Sequence, residues 1–251
     1  MNIYLIRSGS KGNATLVQEG NHILLIDMGV TLKALKEGLA KLDKGLMDIE
    51  AMLLTHEHSD HTSGIKYLDP LPIYCGKGTY SSSNCIDIEP FNTFTISCFK
   101  ITPIRTSHDA TNPLAFVIEV GNEKLAYVTD TGYIPDECLD LLSNATYYVF
   151  ESNYDYQMLL ETGRPICLIN RIASDVGHLS NSDSANYLCD LVGPNTKDIV
   201  YAHISLESNN HDMVMKTHTK VYKKRHLDVS KINIQCASQF DIVSCGSNPI
   251  K

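Results

Sequence analysis

The hexapeptide His56-Glu57-His58-Ser59-Asp60-His61 gathers three histidines and an aspartate just beyond the apolar run Ala51-Met52-Leu53-Leu54. Residues 49–54 read as a buried strand, so the cluster is delivered at a strand's carboxyl end. Buried imidazoles and carboxylates need partners, and here each is the other's neighbour. A cation resolves this, because neutral imidazole and carboxylate are ligands that suit zinc, manganese or iron(II). Alternate residues of an extended turn face the same way, so His56 and His58 can reach one ion. Asp60 and His61, half a helical turn on, can reach a second. The bland alternative is a solvated polar turn, which gives no reason for so many ligand-type side chains in so short a stretch.

A site of this kind needs further ligands from distant segments, and loops after strands are where functional groups sit. Three such places offer one. His108 lies in Thr106-Ser107-His108-Asp109 after the run 101–104, Asp130 in Val128-Thr129-Asp130-Thr131-Gly132 after 125–129, and His203 in Tyr201-Ala202-His203-Ile204-Ser205 after 199–201. Taken singly, a histidine after a strand is more often a hydrogen-bonded loop residue. Their common placement, together with the cluster, makes them candidate ligands.

The surrounding pattern runs strands, helix, strands, twice over. Strands are expected at 3–6, 14–18, 22–27 and 49–54, with Gly20-Asn21 a hairpin signal and Thr31 capping a helix to about Leu42. Residues 91–104 read as extended segments, 114–120 and 124–129 as strands about Gly121-Asn122, and 136–142 as a short helix. Runs 147–150 and 166–169 read as strands or buried segments, 199–201 as a strand, and 232–236 as the last strand. Helices are expected at 182–192, stopped by Gly193-Pro194, and at 212–226. Two sheets packed face to face with helices outside fit this order, as one domain over 1–251.

Apolar residues are 43% of the chain, ample for a core, and no stretch approaches the ~18 apolar residues that span a bilayer. The start, Met1 to Arg7, reads as a first strand and not as a signal peptide, so a cytoplasmic location is expected, without membrane association. Eight cysteines with no C-x-x-C pair, most of them in apolar runs such as Pro165-Ile166-Cys167-Leu168-Ile169, read as free buried thiols. The net charge of -8 argues against a strongly basic nucleic-acid binder, although bound cations would cancel part of it locally.

The ordered set His-x-His-x-Asp-His, then His, Asp and His, resembles the metallo-β-lactamase superfamily, as does Leu24-Leu25-Ile26-Asp27-Met28-Gly29, whose aspartate in that superfamily supports the histidine loop. Ser8-Gly9-Ser10-Lys11-Gly12-Asn13, Ser107-His108-Asp109 and Gly177-His178-Leu179-Ser180-Asn181 look like the YycJ/WalJ/VicX group, close to ribonuclease Z and cyclic phosphodiesterases. The resemblance implies an αββα sandwich and a metal-dependent hydrolase cleaving nucleic-acid phosphodiesters, in the manner of a DNA exonuclease. It implies one metal site from His56, His58 and His108, a second from Asp60, His61 and His203, and Asp130 bridging two divalent ions, Zn2+, Mn2+ or Fe2+. It also pairs a non-ligand histidine, here His178, with an acidic residue, here Glu151. The chain has no room for the inserted domain of the ribonuclease J type and shows no long arm for clamping transfer RNA.

On this reading a metal-activated bridging hydroxide is the nucleophile, Asp60 orients it, and His178, held protonated by Glu151, gives its proton to the leaving alkoxide. His178 as a mere brace of the following helix, and Glu151 as an unrelated carboxylate, are the structural alternatives. Loop 8–13, with its small residues and free N–H groups, is a phosphate contact or simply a hairpin. Lys216, Lys220, Lys223 and Lys224 form a helical stripe that either tracks a nucleic-acid backbone or is a solvated face. Asn209-Asn210 reads as a turn and cap, and His22, His211, His218 and His226 as structural or surface residues. A small-molecule hydrolase, either a cyclic phosphodiesterase or a thioesterase of the glyoxalase II kind, is the competing function. A di-iron redox protein, needing a carboxylate such as Glu57 in the first cluster, is a remoter one.

Overall fold

Each half of the molecule builds its sheet the same way, an antiparallel set of strands followed by a parallel set. The computed structural model describes residues 1–249, so the last two positions of the expected 1–251 span lie outside the described residues. In the first half, strands β1 (Asn2–Arg7), β2 (Ala14–Glu19) and β3 (His22–Ile26) pair antiparallel. Helix α1 (Leu32–Ala40), capped by the Thr31 side chain, then returns the chain so that β4 (Ile49–Leu53) runs parallel to β3. A short helix α2 (Ser59–Thr62) follows, and β5 (Ile73–Gly76) and β6 (Cys85–Ile88) extend the parallel side.

The second half repeats the scheme. Strands β7 (Phe94–Ile96), β8 (Phe99–Arg105), β9 (Leu114–Val120) and β10 (Glu123–Val128) are antiparallel. After α3 (Asp136–Leu142), β11 (Tyr147–Glu151) pairs parallel with β10. Helices α4 (Tyr156–Glu161), α5 (Ile166–Ile172) and α6 (Asn181–Leu191) separate β11 from β12 (Asp198–Ala202). Helix α7 (His211–Arg225) precedes β13 (Asn233–Cys236), and both pairings, β11 with β12 and β12 with β13, are parallel. A last strand, β14 (Val243–Gly246), crosses back to lie antiparallel to β1. The sheet orders are β14-β1-β2-β3-β4-β5-β6 and β13-β12-β11-β10-β9-β8-β7.

Alternation along the strands sorts side chains to two faces. Leu24, Ile26, Phe116, Ile118, Tyr127 and Val149 from both sheets meet in a central core. The opposite faces are covered by helices: Leu35 and Leu39 of α1 pack on the first sheet, and Leu142 of α3, Leu188 of α6 and Val214 of α7 on the second. This is the expected αββα sandwich. Among the described residues, no helix is long and apolar enough to cross a membrane.

Three sequence expectations are corrected. Residues 166–169 are not a strand but the start of helix α5, with Ile169 and Ile172 buried one turn apart while Ile166 is 66% exposed. A four-residue apolar run does not separate the two periodicities; Pro165 before the first turn is the signal that favours a helix. Cys167 is therefore exposed on the helix, although it too is a free thiol, like the other cysteines. The run 232–236 is not the last strand, because β14 follows it. Strands β5 and β6 went unread, since each is only four residues long and flanked by turn residues.

Candidate active site

Parallel strands end on the same edge, and here those ends hold the chemistry. Asp27 follows β3, His56 follows β4, Asp130 follows β10, Glu151 closes β11 and His203 follows β12. His108 arrives from the end of β8. Asp27, Asp130 and His203 have φ of 59°, 57° and 53°, so three strands turn sharply at a site residue. The left-handed conformation costs an L-residue ~1–2 kcal/mol, which packing elsewhere must offset.

All seven expected donors come together. Ligand atoms of His56, His58 and His108 lie within 4.8 Å of one another, as do those of Asp60, His61 and His203. Asp130 belongs to a set with His56 and His61 and to another with Glu151, His178 and His203, which puts it between the two triads. Neighbours orient the rings. His61 Nδ1 is 2.8 Å from Asp27 Oδ2, and the same carboxylate accepts from the Thr55 amide at 2.8 Å and from the Thr55 hydroxyl. His108 Nδ1 donates to the Gly177 carbonyl at 2.9 Å. His203 Nδ1 is 3.1 Å from Glu151 Oε1. With Nδ1 so engaged, Nε2 of each ring is left to face the cluster, an assignment made from hydrogen-bond partners. Asn13 pins the 8–13 loop to the cluster, its Nδ2 3.0 Å from His61 Nε2 and its amide donating to the Asp60 carbonyl at 2.7 Å.

The orphaned atoms test whether these residues suit a cation. His56 Nε2, His203 Nε2 and Asp130 Oδ2 are buried without a hydrogen-bond partner. His108 Nε2 and His58 Nδ1 face each other at 3.3 Å. Unpaired buried polar atoms cost ~1–3 kcal/mol each, and divalent cations drawing lone pairs from imidazole and carboxylate remove that cost. The electrostatics agree. Burial holds the His56 ring down at about 2, so it stays a neutral donor. Burial pushes the Asp60 and Asp130 carboxyls up, but the surrounding histidines outweigh it and hold both well below the usual carboxylate range. His61, lowered by burial, is carried to about 10 by Asp27 and Asp130; that excess positive charge is what a cation would take over from the proton.

His178 lies at the edge of this cluster. Its Nδ1 is 2.8 Å from Glu151 Oε1. Glu151 is fully buried, and its other oxygen accepts from the Thr131 and Leu179 amides at 3.0 and 3.1 Å. Burial raises the Glu151 carboxyl, and the His178 charge and hydrogen bond reverse this, bringing it to about 2. Ser180, two residues on, caps α6 with its side chain. Glu57 turns away: both its oxygens accept from the Thr111 amide, at 2.8 and 3.1 Å, and it joins no donor set.

The cluster floors a cavity of about 520 Å³ lined by His58, Asp60, His108, Asp130, His178 and His203, with Ser10 of the 8–13 loop at its rim. The far wall comes from helix α5 and the segment just before it. Arg171 reaches Asp109 through two nitrogens at 2.5 and 2.7 Å, and Arg164 reaches Glu207 at 2.8 Å. Neither arginine was singled out in the sequence, where each is isolated and in no motif. Asn153, also unread, braces His203 by donating to its carbonyl at 2.8 Å. Asn210 caps α7, and Asn209 is buried against Asn181 and the Ser152 and Asn153 carbonyls. Lys216, Lys220 and Lys224 line a separate groove between α6 and α7. His218 is buried between Ser152 and Tyr222.

Two seven-stranded sheets with a histidine and aspartate cluster at their joined edge define a metal-dependent hydrolase. The family model described as a beta-lactamase superfamily domain matches residues 22–204. The chain belongs to that superfamily. It is 31% identical over 245 residues, 90% of this chain and 91% of the relative, to a protein of Bacillus anthracis named exodeoxyribonuclease YycJ. It is also 31% identical over 228 residues, 85% of each chain, to exodeoxyribonuclease WalJ of Streptococcus pneumoniae. Among solved structures, the metallo-beta-lactamase fold protein YhfI of Bacillus subtilis superposes with a TM-score of 0.74 at 19% identity, over 97% of this chain and 99% of that one. The histidine and aspartate clusters are sets of donors that could hold divalent metal, as the superfamily fold suggests.

Proposed function

We propose that this chain is a two-metal phosphodiesterase that removes nucleotides from DNA. The observation that carries the reading is the His178–Glu151 pair at 2.8 Å beside the donor cluster. Phosphodiester cleavage expels an alkoxide, which needs a proton, and a histidine held by a buried carboxylate supplies one. The relatives named exodeoxyribonucleases support DNA as the polymer.

In this proposal His56, His58 and His108 hold one cation, Asp60, His61 and His203 hold a second, and Asp130 serves both. When bound, such cations supply Lewis acidity toward a phosphate ester and toward water. Asp60, kept ionised, orients the attacking water and draws on its proton. As the bond from phosphorus to the leaving oxygen breaks, the proton on the cavity side of His178 passes to that oxygen. Glu151 then keeps the ring upright, its position fixed by the Thr131 and Leu179 amides. Arg164 and Arg171 across the cavity meet flanking phosphate oxygens by exchanging their carboxylate partners. Zn2+, Mn2+ and Fe2+ all suit this donor set.

The test is to load the protein with Mn2+ or with Zn2+, count bound ions by mass spectrometry, and incubate it with end-labelled single-stranded DNA, duplex DNA and RNA. Two ions per chain and stepwise loss of DNA label, absent from Asp60→Ala, are expected. Two bound ions with no polymer cleaved would withdraw the nuclease reading and direct the search to cyclic phosphodiesters and thioesters.

A further inference from the structure

The cavity over the donor cluster is not the largest depression. One of about 800 Å³ lies directly beside it, lined by Arg7, Lys11 and Lys33, with Tyr67 and Gln239 and without a carboxylate. On a chain of net charge -8 this is a local excess of positive charge. Among the described residues, neither Arg7 nor Lys11 is ion-paired with a carboxylate, and Lys33 meets Glu37 only at 3.9 Å. Tyr67 in its lining is 49% exposed, and Phe240, next in the chain to the lining residue Gln239, is 56% exposed. Each carries a cation on its face: Lys11 Nζ is 5.3 Å from the Phe240 ring centre, and Lys66 Nζ is 5.1 Å from that of Tyr67.

The 8–13 loop borders both this groove and the candidate active site. Ser10 lines the one and Lys11 the other. Gly29 of the groove packs so closely on the Asp60 carbonyl that a Cβ there would lie 1.6 Å from it. Gln239 donates to the Ile204 carbonyl at 2.8 Å, next to His203. The two depressions therefore share the rim formed by Ser10 and Lys11. The lysine groove between α6 and α7 has a carboxylate, Asp155, in its lining.

We propose that this groove holds the single strand of nucleic acid flanking the scissile phosphate, with Lys11, Arg7 and Lys33 on successive phosphates and bases stacked on Phe240 and Tyr67. Exposed aromatics beside unpaired cations are what a single strand requires, since every base has a stacking face and every linkage a charge. A duplex keeps its bases stacked on one another and gains nothing from the two rings. This inference rests on the nucleic-acid reading above and adds to it which form of the polymer is held and where.

The test uses the full chain carrying Asp60→Ala, so that the probe survives, and a fluorescent twelve-nucleotide thymidine oligomer. The parent should bind the strand more tightly than a duplex of equal length. Phe240→Ala and Tyr67→Ala should each weaken binding about tenfold, and Lys11→Ala should reduce the salt slope by about 0.7. In the otherwise wild-type chain, all three substitutions should leave hydrolysis of the small diester bis(p-nitrophenyl) phosphate unchanged. Parental affinity in all three variants, or a preference for duplex, would overturn the groove while leaving the phosphodiesterase reading intact. Failure to cleave any diester, with aromatic-dependent strand binding retained, would overturn that reading and leave the groove.

Discussion

Replacing Glu151 by glutamine preserves volume and removes one charge from the most enclosed part of the site. The carboxylate accepts from four N–H groups: His178 Nδ1 at 2.8 Å, His203 Nδ1 at 3.1 Å, and the Thr131 and Leu179 amides at 3.0 and 3.1 Å. Glutamine has one accepting oxygen, and its NH2 group only donates. If the oxygen stays with the backbone amides, the NH2 faces two ring Nδ1–H groups. His178 Nδ1 then loses its acceptor, whereas His203 Nδ1 still has Asp130 Oδ1 at 3.3 Å. One orphaned donor predicts a loss of about 1–3 kcal/mol in metal-free protein. Metal affinity should fall about 10- to 100-fold, as for other groups that orient ligands. Turnover of DNA, which also needs the oriented acid, should fall by about 10²- to 10⁴-fold at saturating metal. Thermal melts, competition with a chelator of known affinity, and single-turnover DNA cleavage measure the three quantities. A folded Glu151→Gln protein with native metal affinity and a native cleavage rate would refute the reasoning.

Three further outcomes are expected. His178→Ala should slow DNA cleavage by about 10²-fold or more yet change hydrolysis of bis(p-nitrophenyl) phosphate little, because nitrophenolate leaves without a proton; equal loss on both substrates would remove His178 from the acid's role. Gly29→Ala, whose Cβ would meet the Asp60 carbonyl at 1.6 Å, should destabilise by about 1–3 kcal/mol and weaken metal binding through the displaced loop, read by melting and by metal titration. Burial holds the His218 ring down at about 3 against an unfolded value of 6.5, so the unfolded chain binds the extra proton as pH falls below 6.5. Stability should therefore drop with acidification by up to about 1.4 kcal/mol per pH unit, or about 2 kcal/mol by pH 5, relative to His218→Gln. Parallel urea-melt pH profiles of the two proteins would contradict this.

Much of the candidate site was legible because its residues are chemically extreme and close in sequence. His56, His58, Asp60 and His61 share one turn, and His108, Asp130 and His203 each stand just past an apolar run, so type and placement were both visible in one dimension. The pairing of His178 with Glu151 could be named only through resemblance, since 27 positions separate them and nothing in their spacing brings ring and carboxylate to 2.8 Å. Strands β3 and β9 are legible from their continuous apolar runs, whereas β5 and β6, four residues each among turn residues, carry none that long.

What the amino-acid order determined by itself was a local matter: the ligand types, the apolar strands that carry them, and the caps at Thr31 and Ser180, all set by side chains within a few residues. What the tertiary structure alone decided was convergence. Only when β3 and β4 run parallel in one sheet, and β10, β11 and β12 in the other, do their carboxyl ends meet at one edge. The left-handed turns at Asp27, Asp130 and His203 belong to the same level, because a conformation disfavoured locally persists only where distant packing enforces it. So do the wall of Arg164 and Arg171 and the cationic groove beside Ser10, whose members are isolated in sequence and are gathered by the fold.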